Sequence, residues 1–188
     1  MGKIVLVTGG ARSGKSAFAE EMCYQYGEKI AYIATAAALD EGMVDRIKKH
    51  QERRPSSWTT IEQQQNIHHV FENTPSENVD IYLLDCLTVW TTNVMLGDFS
   101  LDWDTLSRDK INLIEAEMLK QINTMINEVR RLNTNIIVVT NEVGLGIVPE
   151  NRLARIFRDI AGKANELLAK NADEVHFVVS GIPMRIKG

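Results

Sequence analysis

The sequence predicts a three-layer α/β fold built on a mostly parallel sheet, and three observations carry that expectation. Five short runs rich in Val, Ile and Leu, at residues 3–8, 30–34, 80–84, 135–140 and 174–180, have the near-continuous apolar character of strands covered on both faces. Longer stretches between them repeat apolar residues every third or fourth position. Strands and helices alternate, which implies right-handed crossovers and gathers ligands at the carboxyl ends of the strands.

The elements follow in order. The first strand stops at Thr8, and a helix-prone run starts at Ala17-Phe18-Ala19-Glu20. After the second strand, residues 40–55 have helical spacing and are stopped by Pro55. Beyond the third strand, Leu106, Leu113, Met118, Ile122, Met125, Val129 and Leu132 mark one face of a long helix. A last helix, behind the fourth strand, puts Leu153, Phe157, Ile160, Ala164 and Leu167 on one face, with Pro149 expected in its first turn. Residues 183–187 are expected to add an antiparallel edge strand after the fifth. The softest joints, 73–78 and 97–104, have the character of surface loops within one domain spanning 1–188.

Composition narrows the function classes. The 188 residues carry 21 Lys and Arg against 25 Asp and Glu, a formal charge of −4, which argues against binding nucleic acid by blanket neutralisation of phosphates. A basic stripe with interleaved aromatics is also missing, which argues against a translocase. Cys23 and Cys86 are too few and too scattered for a disulfide framework or a zinc site, so a reducing cytoplasmic compartment is the economical expectation. The apolar run at 4–7 is too short for a signal-peptide core, and no stretch approaches a membrane span.

The strongest motif follows the first strand. Gly9, Gly10, Ala11, Arg12, Ser13, Gly14, Lys15 and Ser16 form G-x-x-x-x-G-K-[ST] between a buried strand and a helix, the context that makes a P-loop credible. The glycines let backbone N–H groups turn inward around phosphate oxygens, and the helix N-terminus adds partial positive charge. Lys15 is expected to reach the outer phosphates of a nucleotide and the Ser16 hydroxyl to hold Mg²⁺. Asp85, closing the third strand, is the expected Walker-B carboxylate and metal partner, a helix N-cap being the alternative. Glu142, just past the fourth strand, is the runner-up. Gly144 and Gly146 in the next loop suit either a close approach to substrate or a tight connection. Together these expectations describe a P-loop NTPase core of the RecA-like kind.

His50 borders the apolar seam of the 40–55 segment, with Arg46, Lys48, Lys49, Arg53 and Arg54 nearby. Spacing alone fits a solvated basic helix equally well. His68 and His69 lie in a glutamine-rich stretch and His176 in a strand, weaker contexts for catalysis.

The assembled blocks resemble the bifunctional adenosylcobinamide kinase/adenosylcobinamide-phosphate guanylyltransferase family of cobalamin assembly. Thr8 to Ser16, Tyr32-Ile33-Ala34-Thr35, Arg46-Ile47 with His50, Arg53-Arg54-Pro55 and Trp58 carry the resemblance. So do Leu83-Leu84-Asp85-Cys86-Leu87-Thr88 with Asn93, the run Asn141-Glu142-Val143-Gly144-Leu145-Gly146-Ile147-Val148-Pro149-Glu150-Asn151, Phe157 to Gly162, and Asp173-Glu174-Val175. The resemblance implies two activities at one site. A γ-phosphate from ATP or GTP passes to the aminopropanol hydroxyl of adenosylcobinamide. GTP then gives GMP to a histidine, from which it passes to adenosylcobinamide phosphate.

Arg46-Ile47 and Arg54-Pro55 anchor the alignment and place the guanylylated histidine at His50. The implied nucleotide site adds Ala34, Thr35, Ala36, Gln51, Glu52, Arg53, Arg54, Glu62 and Asp85 to the P-loop. The implied cofactors are GTP, ATP and Mg²⁺, and the implied assembly is a homotrimer. Two other readings compete: a guanylyltransferase without the kinase step, and a non-enzymatic module gated by nucleotide.

Overall fold

The computed structural model describes residues 2–36, 55–74, 78–98 and 100–188. The helix expected over 40–55 therefore falls, but for its last residue, outside the described residues. Among the described residues, seven strands form one sheet: β1 (Ile4–Gly9), β2 (Ile30–Ala34), β3 (Thr59–Glu62), β4 (Ile81–Asp85), β5 (Asn135–Val139), β6 (Glu174–Val179) and β7 (Ile182–Lys187). Their order across the sheet is β3-β2-β4-β5-β1-β6-β7. Every pairing is parallel except β6 with β7.

Side-chain alternation along the strands builds two cores. Ile4 and Leu6 of β1, with Ile136 and Val138 of β5, face four helices: α2 (His68–Asn73), α3 (Leu87–Leu96), α4 (Arg108–Arg131) and α5 (Arg152–Asn171). Val5 and Val7, with Ile137 and Val139, face α1 (Lys15–Cys23) and Trp58. The expected three layers are present, and the runs expected to be buried strands are.

β3 was not expected. Thr59-Thr60-Ile61-Glu62 has one apolar residue, half-buried, and the strand lies at a sheet edge, so it lacks the hydrophobic run that marks a central strand. The edge strand expected over 183–187 is β7. It leaves β6 through Ser180 (φ 51°) and Gly181 (φ 82°), two consecutive left-handed residues as in the tight hairpin turns that match strand twist.

Three helix expectations need correction. Leu106 lies ahead of α4, whose N-cap is Ser107. Leu113 does not lie on the inner face of α4: it is 66% exposed, while Ile111, two residues and roughly 200° earlier on the helix, is buried. Pro149 is not in the first turn of α5, because Asn151 starts that helix, its Oδ1 accepting from Ala154 N at 2.9 Å. Pro149 instead offers its carbonyl to Arg155 at 3.0 Å.

Candidate functional site

β5 lies between β1 and β4, so two strand spacings, roughly 10 Å, separate the P-loop from the end of β4. Register sets the levels. Val7 is opposite Val139, Val139 opposite Asp85, Asp85 opposite Ala34, and Ala34 opposite Glu62. Asp85, Ala34 and Glu62 therefore stand in a row at the carboxyl edge, beyond which β1 opens into the loop 9–16. Cys86 is the N-cap of α3, so Asp85 ends its strand and is not the cap.

The loop has the construction of an anion cradle. Arg12 (φ 59°) and Gly14 (φ 94°) are left-handed, turning backbone N–H groups inward. α1 starts directly at Lys15 with no side chain capping its first N–H groups. Gly9 passes so close to β6 that a β-carbon there would lie 2.4 Å from Val178 O. The Ser13 carbonyl accepts from Gly181 N at 2.8 Å, tying the cradle to the β6–β7 turn.

The hydroxyls of Thr8 and Ser13 are buried without a hydrogen-bond partner. Buried polar groups are ordinarily satisfied, so the Ser13 hydroxyl within the loop fits a group that accepts hydrogen bonds, as phosphate does, whereas Thr8 alternates with Ile4 and Leu6 toward the opposite face. Lys15 is buried, its Nζ donating to Gly10 O at 3.0 Å. Burial pushes its pKa down, against the opposing pull of nearby Cys86 and Asp85. Lys15 thus senses the β4 carboxylate across the gap that β5 creates.

A cavity of about 360 Å³ opens beside the loop, lined among others by Gly10, Arg12, Ser13, Glu142, Leu145 and Phe177. Glu142 is registered to the P-loop by its own backbone, Glu142 N donating to Gly9 O at 3.0 Å.

The family whose model is described as cobinamide kinase / cobinamide phosphate guanyltransferase (CobU) matches residues 5–186. This chain belongs to that family. Similar proteins of the family cover nearly the whole chain. The bifunctional adenosylcobalamin biosynthesis protein CobU of Escherichia coli K12 is 43% identical over 184 residues, 98% of this chain and 99% of that one. CobU of Salmonella typhimurium is 41% identical over 188 residues, with 98% and 99% covered. CobP of Pseudomonas aeruginosa is 38% identical over 183 residues, with 97% and 96% covered. Among solved structures, a KaiC-like protein from Pyrococcus horikoshii superposes with a TM-score of 0.50 at 12% identity, covering 93% of this chain and 70% of that one. That likeness concerns the fold alone, and it agrees with the RecA-like P-loop core expected above.

In this CobU-family chain the fold brings Gly9 to Ser16, Ala34, Thr35, Ala36, Glu62 and Asp85 to one edge of the sheet. His50, Gln51, Glu52, Arg53 and Arg54 lie outside the described residues. Thr35 is fully buried, and its hydroxyl donates to Cys86 O at 3.0 Å and accepts from Cys86 N at 2.9 Å. It shapes the edge and clamps the start of α3 against β2. Asn93 of α3 reinforces the clamp by donating to Thr35 O at 2.8 Å and to Gln64 O at 3.0 Å.

Sequence reasoning missed a second clamp. Asn141 N donates to Thr88 Oγ1 at 2.7 Å, Thr140 Oγ1 donates to Asn165 Oδ1 at 2.7 Å, and Asn165 Nδ2 donates to Asn141 O at 3.1 Å. These partners stand 24 to 53 positions apart, beyond the reach of any local pattern. Burial pushes the Cys86 thiol up to about 12, so this residue beside Asp85 is no nucleophile. His176 is packed on Phe18 with ring centroids 5.2 Å apart, which accounts for it structurally.

Proposed function

We propose that this single-domain chain, residues 1–188, phosphorylates adenosylcobinamide with ATP or GTP. It then transfers GMP from GTP, through His50, to give adenosylcobinamide-GDP in cobalamin assembly. The observation that carries the reading is the cradle itself: left-handed turns at Arg12 and Gly14, an uncapped helix start, a buried Ser13 hydroxyl without a partner and a buried Lys15. Family membership selects the substrates.

In the first step the loop and Lys15 hold the triphosphate while the substrate hydroxyl attacks the γ-phosphorus. A new O–P bond forms, and the bond to the bridging oxygen breaks, releasing the nucleoside diphosphate. In the second step an unprotonated nitrogen of His50 bonds to the α-phosphorus of GTP and pyrophosphate leaves. An oxygen of adenosylcobinamide phosphate then displaces the histidine, splitting one difficult transfer into two easier ones. Arg46, Lys49, Arg53 and Arg54, close to His50 in sequence, would favour neutral imidazole and attract the triphosphate. Ser16 and Asp85 would hold Mg²⁺, which would neutralise charge developing on the phosphate. Gln51, Glu52, Arg53, Arg54, Ala34, Thr35, Ala36 and Glu62 complete the nucleotide site in this reading.

A homotrimer is part of the proposal. Exposed Ile182, Met184 and Ile186 alternate along β7, and Leu145, Ile147 and Val148 are exposed in the loop after β5, apolar surface of the kind subunit contacts cover. A cytoplasmic location is supported by two free, buried cysteines, and no helix among the described residues is long and apolar enough to cross a membrane. No nucleic acid is part of the scheme.

The experiment is to incubate the protein with adenosylcobinamide, Mg²⁺ and GTP and follow the corrinoids by mass. Successive appearance of the phosphate and the GDP derivative is expected. GMP transfer to supplied adenosylcobinamide phosphate without the first phosphorylation would leave a guanylyltransferase only, and nucleotide binding without either product a gated module.

A further inference from the structure

Removing the proton from the accepting hydroxyl is a task that neither Lys15 nor Asp85 is placed to do, the one holding phosphates and the other standing at the metal position. We propose that Glu142 is the general base of the kinase step, an inference that rests on the function proposed above. Glu142 lines the same cavity as Gly10, Arg12 and Ser13, which opens beside the first half of the P-loop. Leu145 and Phe177 form part of the same wall, giving the cavity an apolar side against which a substrate arm can lie.

Its position is fixed from three directions. Its N–H is bonded to Gly9 O at 3.0 Å, locking its distance from the start of the P-loop. Its Oε1 accepts from Gly144 N at 2.6 Å, which orients the carboxylate and uses only one of its two oxygens in that bond. The residue before it, Asn141, is held at both backbone groups by Thr88 and Asn165. A general base needs this kind of fixed approach, because proton transfer requires hydrogen-bond distance in the productive pose.

The step balances. The hydroxyl proton passes to the Glu142 carboxylate as the hydroxyl oxygen bonds to the γ-phosphorus. The bond from that phosphorus to the β–γ bridging oxygen breaks, and the nucleoside diphosphate leaves with the electron pair. The second reaction differs. Its acceptor is a phosphate oxygen that is already ionised, so no hydroxyl proton has to be removed, and Glu142 has no base to supply there.

That difference gives the test. Phosphorylation of adenosylcobinamide and GMP transfer to supplied adenosylcobinamide phosphate are measured on the full chain as wild type, Glu142→Gln and Glu142→Ala. Glu142→Gln keeps an oxygen for Gly144 N, so the loop is retained. Its phosphorylation kcat is expected to fall by roughly 10²–10³, with KM for nucleotide and corrinoid within about threefold and GMP transfer down by less than about tenfold. Added formate is expected to restore part of the Glu142→Ala kinase rate and none of the Glu142→Gln rate, a chemical rescue that a merely structural residue does not show. Near wild-type phosphorylation in Glu142→Gln overturns the proposal. So does equal loss of both reactions, and so does a raised Mg²⁺ requirement, which would make Glu142 a metal ligand. If wild type transfers GMP but never phosphorylates adenosylcobinamide, the kinase half of the proposed function fails and the base falls with it.

Discussion

The amino end of the sheet and the P-loop at its carboxyl end treat their polar side chains differently. At the amino end most of them bond within the fold, the buried Thr134 hydroxyl excepted. Asp173 accepts from Ile4 N at 2.7 Å and takes the fork of Arg130 at 2.9 and 3.0 Å. Asn135 accepts from Lys3 N at 3.0 Å and donates to Asp80 O, while Asp80 accepts from Glu28 N and Lys29 N at 3.0 Å each. At the carboxyl end Thr8 and Ser13 are buried with nothing to bond, and Lys15 is folded back on Gly10. The amino end is largely satisfied by the protein itself, and so are Thr35, Thr88 and Thr140 around the P-loop. The P-loop itself is built to be completed by a ligand, and the contrast separates stability from function within one sheet.

The largest effect that sharpens this comparison is at Lys15. Lys15→Ala is expected to lower kcat/KM of both nucleotide-dependent steps by about 10²-fold or more, with Tm little changed, because in the proposed scheme the lysine serves phosphate and not the fold. Steady-state rates and a thermal melt on the same sample check it. Equal damage to Tm would erase the distinction between the two ends.

Next in size is Asp173→Ala. It strands Ile4 N and the Arg130 fork, and is expected to cost about 1–3 kcal/mol in denaturant unfolding while leaving turnover per folded molecule unchanged. The same residue gives a pH signature. Burial pushes its carboxyl up, but the hydrogen bonds of Arg130 and Ile4 N outweigh this and hold it below the ordinary range. Glu174, bonded to Lys3, is held low too. A depressed carboxylate contributes stability that is present above its unfolded pKa and lost as pH falls through its folded value. Stability should therefore drop on acidification below the usual carboxylate range, and Asp173→Asn should flatten that acid limb. A limb unchanged by this variant would remove Asp173 from the account.

The smallest expected effect is at Ser13. Ser13→Ala removes a buried hydroxyl without a partner, so stability should hold steady or rise slightly, while nucleotide affinity weakens by up to about tenfold for one lost hydrogen bond. Fluorescent-nucleotide titration reads the second part. Weaker stability with unaltered affinity would mean that the hydroxyl serves the fold after all.

How much of this the sequence made legible follows the same division. β1, β2, β4, β5 and β6 announce themselves because both faces are covered, so nearly every residue is apolar. β3 does not, because an edge strand with one half-buried isoleucine has no such signature. Leu113 misled because helical spacing at intervals of three to four admits more than one face, and only packing decided for Ile111. The P-loop was plain because its chemistry is local, eight consecutive residues between strand and helix. Asp85 was legible as a strand end, and the structure removed the capping alternative by giving that position to Cys86. The Thr88–Asn141–Asn165 clamp was hidden because its members meet only in the folded sheet. His50 was singled out by the family block around it and lies outside the described residues.

The most direct test is therefore covalent. Wild type, Lys15→Ala, His50→Ala and Asp173→Asn are incubated with Mg²⁺ and GTP labelled at the α-phosphate, then denatured and mapped. The account predicts an acid-labile, alkali-stable GMP adduct on His50 in wild type and Asp173→Asn, strongly reduced in Lys15→Ala and missing in His50→Ala. Folded wild-type protein that binds GTP yet carries no adduct, or carries it on another residue, would contradict it.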